Sequence, residues 1–431
     1  MRFFSRKYIF SYLYKLLCKK QIAASYSLSW EQRKLGDVCS RVQGNDGRME
    51  LPTLTISASN GWMKQEDRFS GNIAGKEQKN YTLLHKGELS YNHGNSKLAK
   101  YGTVFSLQSY EEALVPRVYH SFKVEEGNTD FIEYYFATKL PDRELGKLIS
   151  SGARMDGLLN IGYKEFMGIQ LLFPKTKEQE CIANYFRNLD HLITLHQRKY
   201  DKLNNVKKSM LEKMFPKNGS NVPEIRFKGF TEAWEQRKLG DFGKATGGTS
   251  IESEFSEDGI YKVISIGSYS ENSVYNDQGI RAIKSDKTSN RVLNRNDLTM
   301  ILNDKTTSGN IIGRVLLIEE SGIYVYNQRT ERIEINLDEY DSVFLYEMLN
   351  APNIREKIIK QAQGNTQIYV NWTAISLLKY MIPSKEEQVK IGEYLHSISN
   401  LITLHQRKCD KYSSIKKGMM SDLLTGKIRL V

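Results

Sequence analysis

The sequence predicts an α+β protein with two globular domains in pseudo-symmetric tandem and two long helices that pack on each other. Three observations lead to this prediction. The octapeptide WEQRKLGD occurs at residues 30–37 and again at 234–241. A second octapeptide, LITLHQRK, occurs at residues 192–199 and again at 401–408. Each copy of the second octapeptide lies within a long heptad pattern, whereas the sequences between the two octapeptides differ from one half to the other.

The repeated segments keep the same order, as two copies of one plan do. FPKTKEQECIANYF at residues 173–186 aligns with IPSKEEQVKIGEYL at 382–395, and LLHKGELSY at 83–91 aligns with VLNRNDLTM at 292–300. These pairs and the LITLHQRK words are 209 residues apart, whereas the WEQRKLGD words are 204 apart. A duplicated frame around two unlike modules predicts the same kind of task carried out on two different targets.

The modules between the repeated words are predicted to be α+β. Short runs rich in β-forming residues are bounded by Gly, Asn and Asp, which is typical of strands and turns. These runs are GTVFSL, VYHSFKV, GIQLLF, YKVISI, IIGRVLLI and GIYVY. Helices are predicted near residues 131–140 and 343–350.

The helical parts carry two heptad seams with the same phase. The first seam contains Ile182, Phe186, Leu189, Ile193, His196, Tyr200, Leu203, Lys207, Met210 and Met214. The second contains Ile391, Leu395, Ile398, Ile402, His405, Cys409, Tyr412, Lys416, Met419 and Leu423. Steps of four and three sustained over more than four heptads indicate a coiled coil. Each helix would be roughly 55–60 Å long at 1.5 Å per residue, which is too long to pack on one small domain.

Each seam contains a lysine and a histidine at matched positions. Lys207 and Lys416 occupy matched positions, where they either fix the register or mark solvated ends of the coil. His196 and His405 are interpreted as packed coil positions, because structural zinc needs four close ligands and none is spaced that way nearby.

These patterns divide the chain into six segments. Residues 1–29 form an atypical extension, 30–174 the first globular domain, 175–215 the first long helix, 216–229 a linker, 230–383 the second globular domain, and 384–431 the second long helix with a tail. The linker prediction rests on two prolines and two glycines within residues 215–230.

Composition places the chain among ordinary globular proteins with a mild preference for anionic partners. The net charge is +12, of which six positive charges and no acid lie in residues 1–30. Residues 8–18 are apolar but too short to span a bilayer and contain Lys15. Lys19 and Lys20 stand where a secretion signal is neutral, which favours an amphipathic extension or an upstream start. The four cysteines lack metal-ligand spacing and indicate reduced thiols in the cytoplasm.

The ordered set of duplicated motifs resembles the specificity subunit of Type I restriction-modification enzymes. PEIRFKGFTEAWEQRKLGD at residues 223–241 looks like the start of a target-recognition domain of that family. GGTS at 247–250 with GIYKVISIG at 259–267, and YNQRTERI at 326–333, are similar to a loop and strands of such domains. Further motifs of the family are GARMDGLLNIGYKEFMGIQLLFP, GNTQIYVNWTAISLLKYMIP, PKTKEQ, PSKEEQ and LLTGKIRL. The resemblance covers roughly residues 30–431, and it departs from the family before Trp30, where QIAASYSLS replaces the NVPEIRFKGF lead-in.

The resemblance implies a subunit that is not itself catalytic and that contains no cofactor. Each globular domain would be a target-recognition domain for one half of a bipartite, asymmetric site in double-stranded DNA. The helices would form an antiparallel coiled coil that sets the spacer. Two methyltransferase subunits, in which S-adenosylmethionine is expected, would dock around it, and motor-nuclease subunits would complete the restriction complex.

Side chains able to reach base edges cluster in the predicted loops, since Arg and Lys suit guanine and Asn and Gln suit adenine. In the first domain they are Lys64, Arg68, His93, Asn95, Lys97, Lys100, Arg117, Arg154, Asn160 and Tyr163. In the second they are Asn303, Asp304, Lys305, Asn327, Gln328, Arg329, Asn365, Gln367 and Trp372. Each of these is also compatible with a solvated loop residue or a turn former, and many would contact phosphate without reading sequence.

Catalytic and metal-binding interpretations find little support in the sequence. No Pro-Pro pair occurs, so the Asn/Asp-Pro-Pro-aromatic motif of an adenine methyltransferase is missing. FSGNIAG at residues 69–75 lacks the preceding strand that a cofactor loop requires. Asp67, Glu77 and Lys79 have only the loose spacing of a nuclease site, and no metal is predicted. Two rivals remain: a coiled-coil adaptor that does not bind DNA, and a DNA-reading subunit of a related methylase outside Type I.

Overall fold

The two repeated halves fold as two compact units. The computed structural model describes residues 30–69, 75–94, 96–149, 158–217, 219–305, 308–365 and 367–430. The first unit contains the chain up to Leu195 and from Lys408 onward, and the second is His196–Arg407. The extension predicted at residues 1–29 lies outside the described part of the chain.

The first unit is built around one antiparallel sheet. Its strands are β1 (Glu31–Lys34), β2 (Cys39–Arg41), β3 (Leu54–Ser57), β4 (Gly61–Lys64), β5 (Thr82–His85), β6 (Leu89–Asn92), β7 (Thr103–Ser106), β8 (Glu112–Val115), β9 (His120–Val124) and β10 (Gln170–Phe173). Its short helices are α1 (Gln65–Phe69), α2 (Thr129–Ala137), α3 (Asp142–Lys147) and α4 (Tyr163–Met167). The main sheet has the order β2-β9-β6-β7. Leu89 and Phe122 face each other across β6 and β9, and both are fully buried in the core.

The first unit also contains the strand pairs β3-β4 and β5-β8, whereas the second unit repeats the main sheet and adds a three-stranded one. Its strands are β11 (Glu235–Lys238), β12 (Gly243–Gly247), β13 (Tyr261–Ile264), β14 (Arg281–Ala282), β15 (Leu298–Ile301), β16 (Asn303–Asp304), β17 (Val315–Leu317), β18 (Tyr324–Tyr326), β19 (Thr330–Ile335), β20 (Ile368–Tyr369) and β21 (Lys379–Ile382). Its short helices are α6 (Asp286–Ser289), α7 (Ser342–Asn350), α8 (Pro352–Ile359) and α9 (Trp372–Ile375). The four-stranded sheet β12-β19-β15-β17 corresponds to the main sheet of the first unit, and β14-β13-β18 forms the added sheet.

The repeated WEQRKLGD word forms the same structure in both units. Its Glu-Gln-Arg-Lys strand pairs with the strand that precedes the long helix, so β1 pairs with β10 and β11 pairs with β21, both antiparallel. Its tryptophan packs edge-on against a phenylalanine of the following domain helix. The ring centroids are 6.0 Å apart for Trp30 and Phe131 and 6.1 Å apart for Trp234 and Phe344. The WEQRKLGD segment therefore joins each globular domain to the start of its long helix.

A buried glutamine at the start of each long helix repeats the same hydrogen bonds. Gln179 accepts from the backbone N–H of Asn128 at 3.0 Å and donates to the carbonyl of the proline before its helix at 2.9 Å. Gln388 does the same with Asp341 and its own proline, at 2.9 and 3.0 Å. Asn128 and Asp341 in turn cap α2 and α7, which satisfies backbone donors that a helix start leaves unpaired.

The two long helices are α5 (Thr176–Lys213) and α10 (Lys385–Leu423). Every predicted seam residue is buried or half-buried. In the first unit, the early part of α5 packs with the late part of α10, where the Cys409 thiol donates to Ile193 O at 3.8 Å. In the second unit, the late part of α5 packs with the early part of α10, where His196 and His405 approach to 2.8 Å between their Nδ1 atoms. The predicted α+β tandem with an antiparallel helix pair is thus confirmed.

An Ile-Arg segment after each long helix is tied to the base of one unit. Arg429, beyond α10, donates to both carboxylate oxygens of the buried Glu178 at 2.6 Å each. Arg226, beyond α5, donates to both oxygens of the buried Glu387 at 2.7 Å each. Bidentate pairs of this kind fix geometry as well as charge. None of the helices in the described part of the chain has a stretch long and apolar enough to cross a membrane.

Candidate nucleic-acid interface

In the first unit, backbone contacts bring together loops that are far apart in sequence. Gly94 forms an isolated bridge with Leu158. This contact joins the loop that carries Lys97 and Lys100 to the segment that carries Asn160. At the end of β6, Asn92 Nδ2 and Arg68 Nη1 both donate to the carbonyl of Ile56, at 3.2 and 2.9 Å.

Most of the predicted DNA-contacting side chains in these loops face solvent. Lys64, Arg68, Lys97, Lys100, Arg117 and Asn160 are exposed. Tyr163 is half-buried beneath the guanidinium of Arg41, which lies 4.5 Å from the ring centroid. Asn95 and Arg154 lie outside the described residues.

His93 does not fit the expectation of a DNA-facing side chain. Only 5% of the residue is exposed. Its Nδ1 lies 2.7 Å from Leu159 O and its Nε2 lies 2.9 Å from Val118 O. In this conformation both ring nitrogens are occupied by the protein's own backbone, so His93 has no atom left to reach a base.

The predicted residues of the second unit are also brought together from three distant segments. Strand β16, which contains Asn303 and Asp304, pairs with β20 and so lies near Gln367, which precedes β20. The backbone N–H of Leu302 donates to Arg329 O at 3.0 Å, and Arg329 Nη1 donates to Gln367 Oε1 at 3.5 Å. Arg329 has a φ of 67°. This left-handed backbone is costly for a non-glycine residue and is concentrated at binding sites.

Exposure separates these residues into two groups. Lys305, Arg329, Asn365 and Gln367 are exposed, and Asn303, Gln328 and Trp372 are half-buried. Asp304 and Asn327 are 4% and 5% exposed. Their side-chain oxygens accept backbone N–H groups, of Ile311 at 3.2 Å and of Ile251 at 3.1 Å respectively. In this conformation their oxygens already serve the fold, and DNA contact by these two residues stays a prediction.

Two titratable groups occupy matching positions beside these loops. His120 is opposite Tyr91 across β6 and β9, and Glu331 is opposite Met300 across β15 and β19. Burial lowers the pKa of His120, with the charges of His93 and Arg41 adding to that effect and the hydrogen bond to Ile161 opposing it. Burial raises the pKa of Glu331 to about 7, although the positive charge of Arg291 opposes the shift. Both groups favour their neutral forms, as desolvation predicts.

Comparison with known proteins places this architecture in a family. The sequence matches the Type I restriction modification DNA specificity domain twice, over residues 28–205 and 231–411. The chain belongs to this family. Each match covers one globular module together with much of the long helix that follows it, so the specificity-domain repeat includes the helices as well as the modules.

Relatives agree with this membership. The chain is 28% identical over 321 residues to the Type I restriction enzyme MjaVIII specificity subunit of Methanocaldococcus jannaschii, covering 72% of this chain and 73% of that protein. It also resembles the crystal structure of a Type I restriction-modification system S subunit from M. genitalium, with a TM-score of 0.56 and 13% identity. That alignment covers 93% of this chain and 98% of the other, and at this identity it supports the fold alone.

The described side chains show no arrangement suited to a metal ion. No group of three or more His, Cys, Asp and Glu among the described residues is arranged to hold one. His196 and His405 face each other in the helix pair, with ring centroids 5.0 Å apart. Structural zinc requires four ligands, so a pair of rings is not a zinc site.

Several residues that shape these surfaces escaped the sequence-based prediction. Arg291 donates to Gly247 O at 2.7 Å and to Thr249 Oγ1 at 3.0 Å, which anchors the GGTS loop. His120 lies within the β-rich run VYHSFKV. A histidine among inward-facing strand positions could have identified it as a candidate residue. Arg226 and Arg429 each belong to an Ile-Arg pair that occurs twice in the sequence, at residues 225–226 and 428–429. That repeat could have identified them.

Proposed function

We propose that this chain is the DNA-reading specificity subunit of a Type I restriction-modification complex, in which each unit reads one half of a bipartite, asymmetric site. The observation that supports this is the contrast between the repeated residues at the base of each unit, which we call the frame, and the loop residues. The frame residues repeat and make the same hydrogen bonds in both units, as Gln179 and Gln388 do. The loop residues differ, with Lys97 and Arg117 in one unit and Arg329 and Gln367 in the other. Different polar side chains on equal supports suit two different base sequences.

Exchange of one module tests this division of labour. Residues 38–172 would be replaced by the corresponding module of a relative, and the chain would be co-expressed with its methyltransferase partner. Methylome sequencing should show a change in one half of the methylated site while the other half stays the same. Alteration of both halves would contradict the division of labour. Absence of any sequence-specific binding to duplex DNA would favour a coiled-coil adaptor.

The two LITLHQRK octapeptides also support the docking of two copies of one partner subunit. Packing alone constrains only the seam positions, yet the words are identical at exposed positions too. Leu195 and Leu404 are matched leucines of the two words and are 38% and 44% exposed. Two identical surfaces with an exposed apolar side chain suit two identical subunits. We infer that each word receives one methyltransferase subunit.

Single and double substitutions test the stoichiometry. Leu195→Asp and Leu404→Asp should each reduce the complex from two bound methyltransferase subunits to one, and the double variant should bind none, as read by native mass spectrometry. Leu337→Asp is the matched control, because Leu337 is 48% exposed and lies outside the words. Retention of both partners by the double variant would place the docking surface elsewhere.

The chemistry of the complex is assigned to the partners. S-adenosylmethionine would bind the methyltransferase subunits, and motor-nuclease subunits would supply cleavage. The purified chain alone should therefore transfer no labelled methyl group from S-adenosylmethionine to DNA, whereas the assembled complex should. Methyl transfer by the chain alone would contradict a non-catalytic role.

A further inference from the structure

Two stacked histidines lie beneath the loops of the first unit. The rings of His93 and His120 are 4.8 Å apart between centroids and 12° from parallel. His93 follows β6 and His120 begins β9. Tyr91 lies 6.0 Å from each ring, so the pair is enclosed by the aromatic side of the core.

The hydrogen bonds of His93 connect two backbone segments. Its two ring nitrogens lie within hydrogen-bonding distance of Leu159 O and Val118 O. The ring therefore bridges two buried carbonyls that come from distant parts of the chain. His120 Nε2 lies 2.8 Å from Ile161 O.

The two rings hold one short segment from both of its ends. His93 bonds the carbonyl of Leu159, and His120 bonds that of Ile161. Leu159 and Ile161 are 3% exposed, whereas Asn160 between them is exposed. Pinning the two carbonyls on either side therefore fixes the direction in which Asn160 is presented.

The same ring ties this segment to two more loops. Its Nε2 bonds Val118 O, next to the exposed Arg117. His93 itself begins the loop that leads to Lys97. One ring thus joins three loops, each of which presents a polar or positively charged side chain to solvent.

The second unit achieves this arrangement without histidine. The position after β15 that matches His93 is Leu302, whose backbone N–H donates to Arg329 O at 3.0 Å and whose carbonyl accepts from Val370 N at 2.8 Å. The position on β19 that matches His120 is Glu331. Backbone hydrogen bonds and the side-chain bond from Arg329 to Gln367 connect the equivalent loops there, so the histidine arrangement belongs to the first unit.

We propose that His93 and His120 are positioning residues for recognition of one half-site by the first unit. They hold the loops of Lys97, Arg117 and Asn160 in the conformation that meets DNA. This rests on the proposed DNA-reading function and deepens it. Loss of the His93 ring leaves buried carbonyls without their partner, which is unfavourable.

The charged and titratable groups around the pair come from several elements. His120 faces His93 directly from β9, and Tyr91 adjoins both rings from β6. Tyr163 of α4 meets the edge of His120 at 5.7 Å, and Arg41 of β2 stacks on Tyr163. Cys39 of β2 has its thiol pKa raised to about 12 by burial, so it remains neutral across the range in which histidine changes charge.

Binding measurements on the complex with its methyltransferase subunits test the proposal. The probes are duplexes with the site found by methylome sequencing and duplexes in which either half-site is scrambled. The wild type should discriminate against a scrambled sequence at both half-sites. His93→Gln should weaken discrimination at the first unit's half-site by about tenfold and leave discrimination at the second unit's half-site unchanged. His85→Gln is the control, because the His85 side chain is 55% exposed, and it should follow the wild type.

A second variant remains informative if His93→Gln unfolds the unit. His120→Gln removes the contact with Ile161 O at the other end of the segment and should weaken discrimination at the same half-site. A folded variant of either histidine with wild-type discrimination at both half-sites, or with an equal loss at both, would overturn the proposal. Failure of the wild type to prefer its site over a scrambled duplex would instead remove the proposed function, and this proposal with it.

Discussion

The ammonium of Lys207 lies 2.8 Å from the carboxylate of Glu347, whose side chain is only 2% exposed. Lys416 occupies the matched position in the other seam and lies 2.6 Å from Asp190, whose side chain is 39% exposed. The two lysines repeat, but their carboxylate partners come from different elements, α7 in one unit and α5 in the other. Burial of the partner therefore decides what each lysine contributes to stability.

Removing each lysine should have unequal effects. Lys207→Met leaves a buried carboxylate uncompensated and should destabilise the second unit by about 3 kcal/mol, the lower end of the range for breaking a buried pair. Lys416→Met leaves a partly solvated carboxylate and should cost at most about 1 kcal/mol. Denaturant unfolding followed by a probe in each unit measures both values.

A double variant separates the charge effect from lost packing. Glu347→Gln in the Lys207→Met background removes the unpaired charge and should restore more than half of the lost stability. Equal losses for Lys207→Met and Lys416→Met would show that burial of the partner does not set the cost.

Glu331 should make the stability of the second unit depend on pH. Its folded-state pKa of about 7 is above the ordinary 4.5, so the folded state binds more protons between those values. The free energy of unfolding should therefore fall as the pH rises from about 4.5 to about 7, by on the order of 3 kcal/mol at about 1.4 kcal/mol per pKa unit. Unfolding curves recorded across this range test the slope.

Glu331→Gln should flatten that slope, because the amide does not titrate. Glu334→Gln is the matched control on the same strand, since the Glu334 side chain is 57% exposed. If the wild-type and Glu331→Gln slopes coincide between pH 5 and 7, the carboxyl of Glu331 is not the source of the dependence.

The frame could be predicted from sequence because its signals are local and occur twice. Seam residues such as Leu189 and Leu395 recur at heptad spacing, and both are fully buried. Pro174 and Pro383 mark the points after which the helices begin. A pattern that appears in both halves with the same phase is a stronger signal than one that appears once.

The candidate site could be predicted only as a set of loops. Polar composition identified the loops of His93, Asp304 and Asn327, but it could not show that these three side chains turn inward to bond backbone groups. That choice depends on which carbonyls and amides of distant segments arrive nearby, as Val118 does for His93. Such contacts are long-range and leave no periodic signal in the sequence.

The exposed cations of the first unit should contribute to affinity through phosphate contacts. Lys97→Ala and Arg117→Ala should each weaken binding of the complex to all duplexes and reduce the slope of log K against log salt by about 1, if each contacts one phosphate. Lys123→Ala is the control, because Lys123 lies on β9 with a side chain that is 55% exposed. A base-specific effect of either variant, with no change in slope, would identify a reading residue and contradict a phosphate contact.

The helix pair should act as the ruler that sets the spacer between half-sites. A test must lengthen the helices themselves. Helix α5 ends at Lys213, so residues inserted after Phe215 would lie beyond it, would lengthen only the segment that follows α5, and would leave the coil unchanged. A seven-residue heptad inserted after His196 in α5 and another after His405 in α10 keeps both seams in phase.

Each inserted heptad should extend the coil by about 10 Å at 1.5 Å per residue. At about 3.4 Å per base pair, the preferred spacer should grow by about three base pairs while the bases read at each end stay the same. Methylome sequencing of cells that express the complex measures the spacer, after native mass spectrometry has shown that the partners still bind. The control places the same seven residues after Gly219, beyond the helix, and should leave the spacer unchanged. Methylation at the original spacing by an intact complex with the lengthened coil would mean that something other than the helices determines the distance.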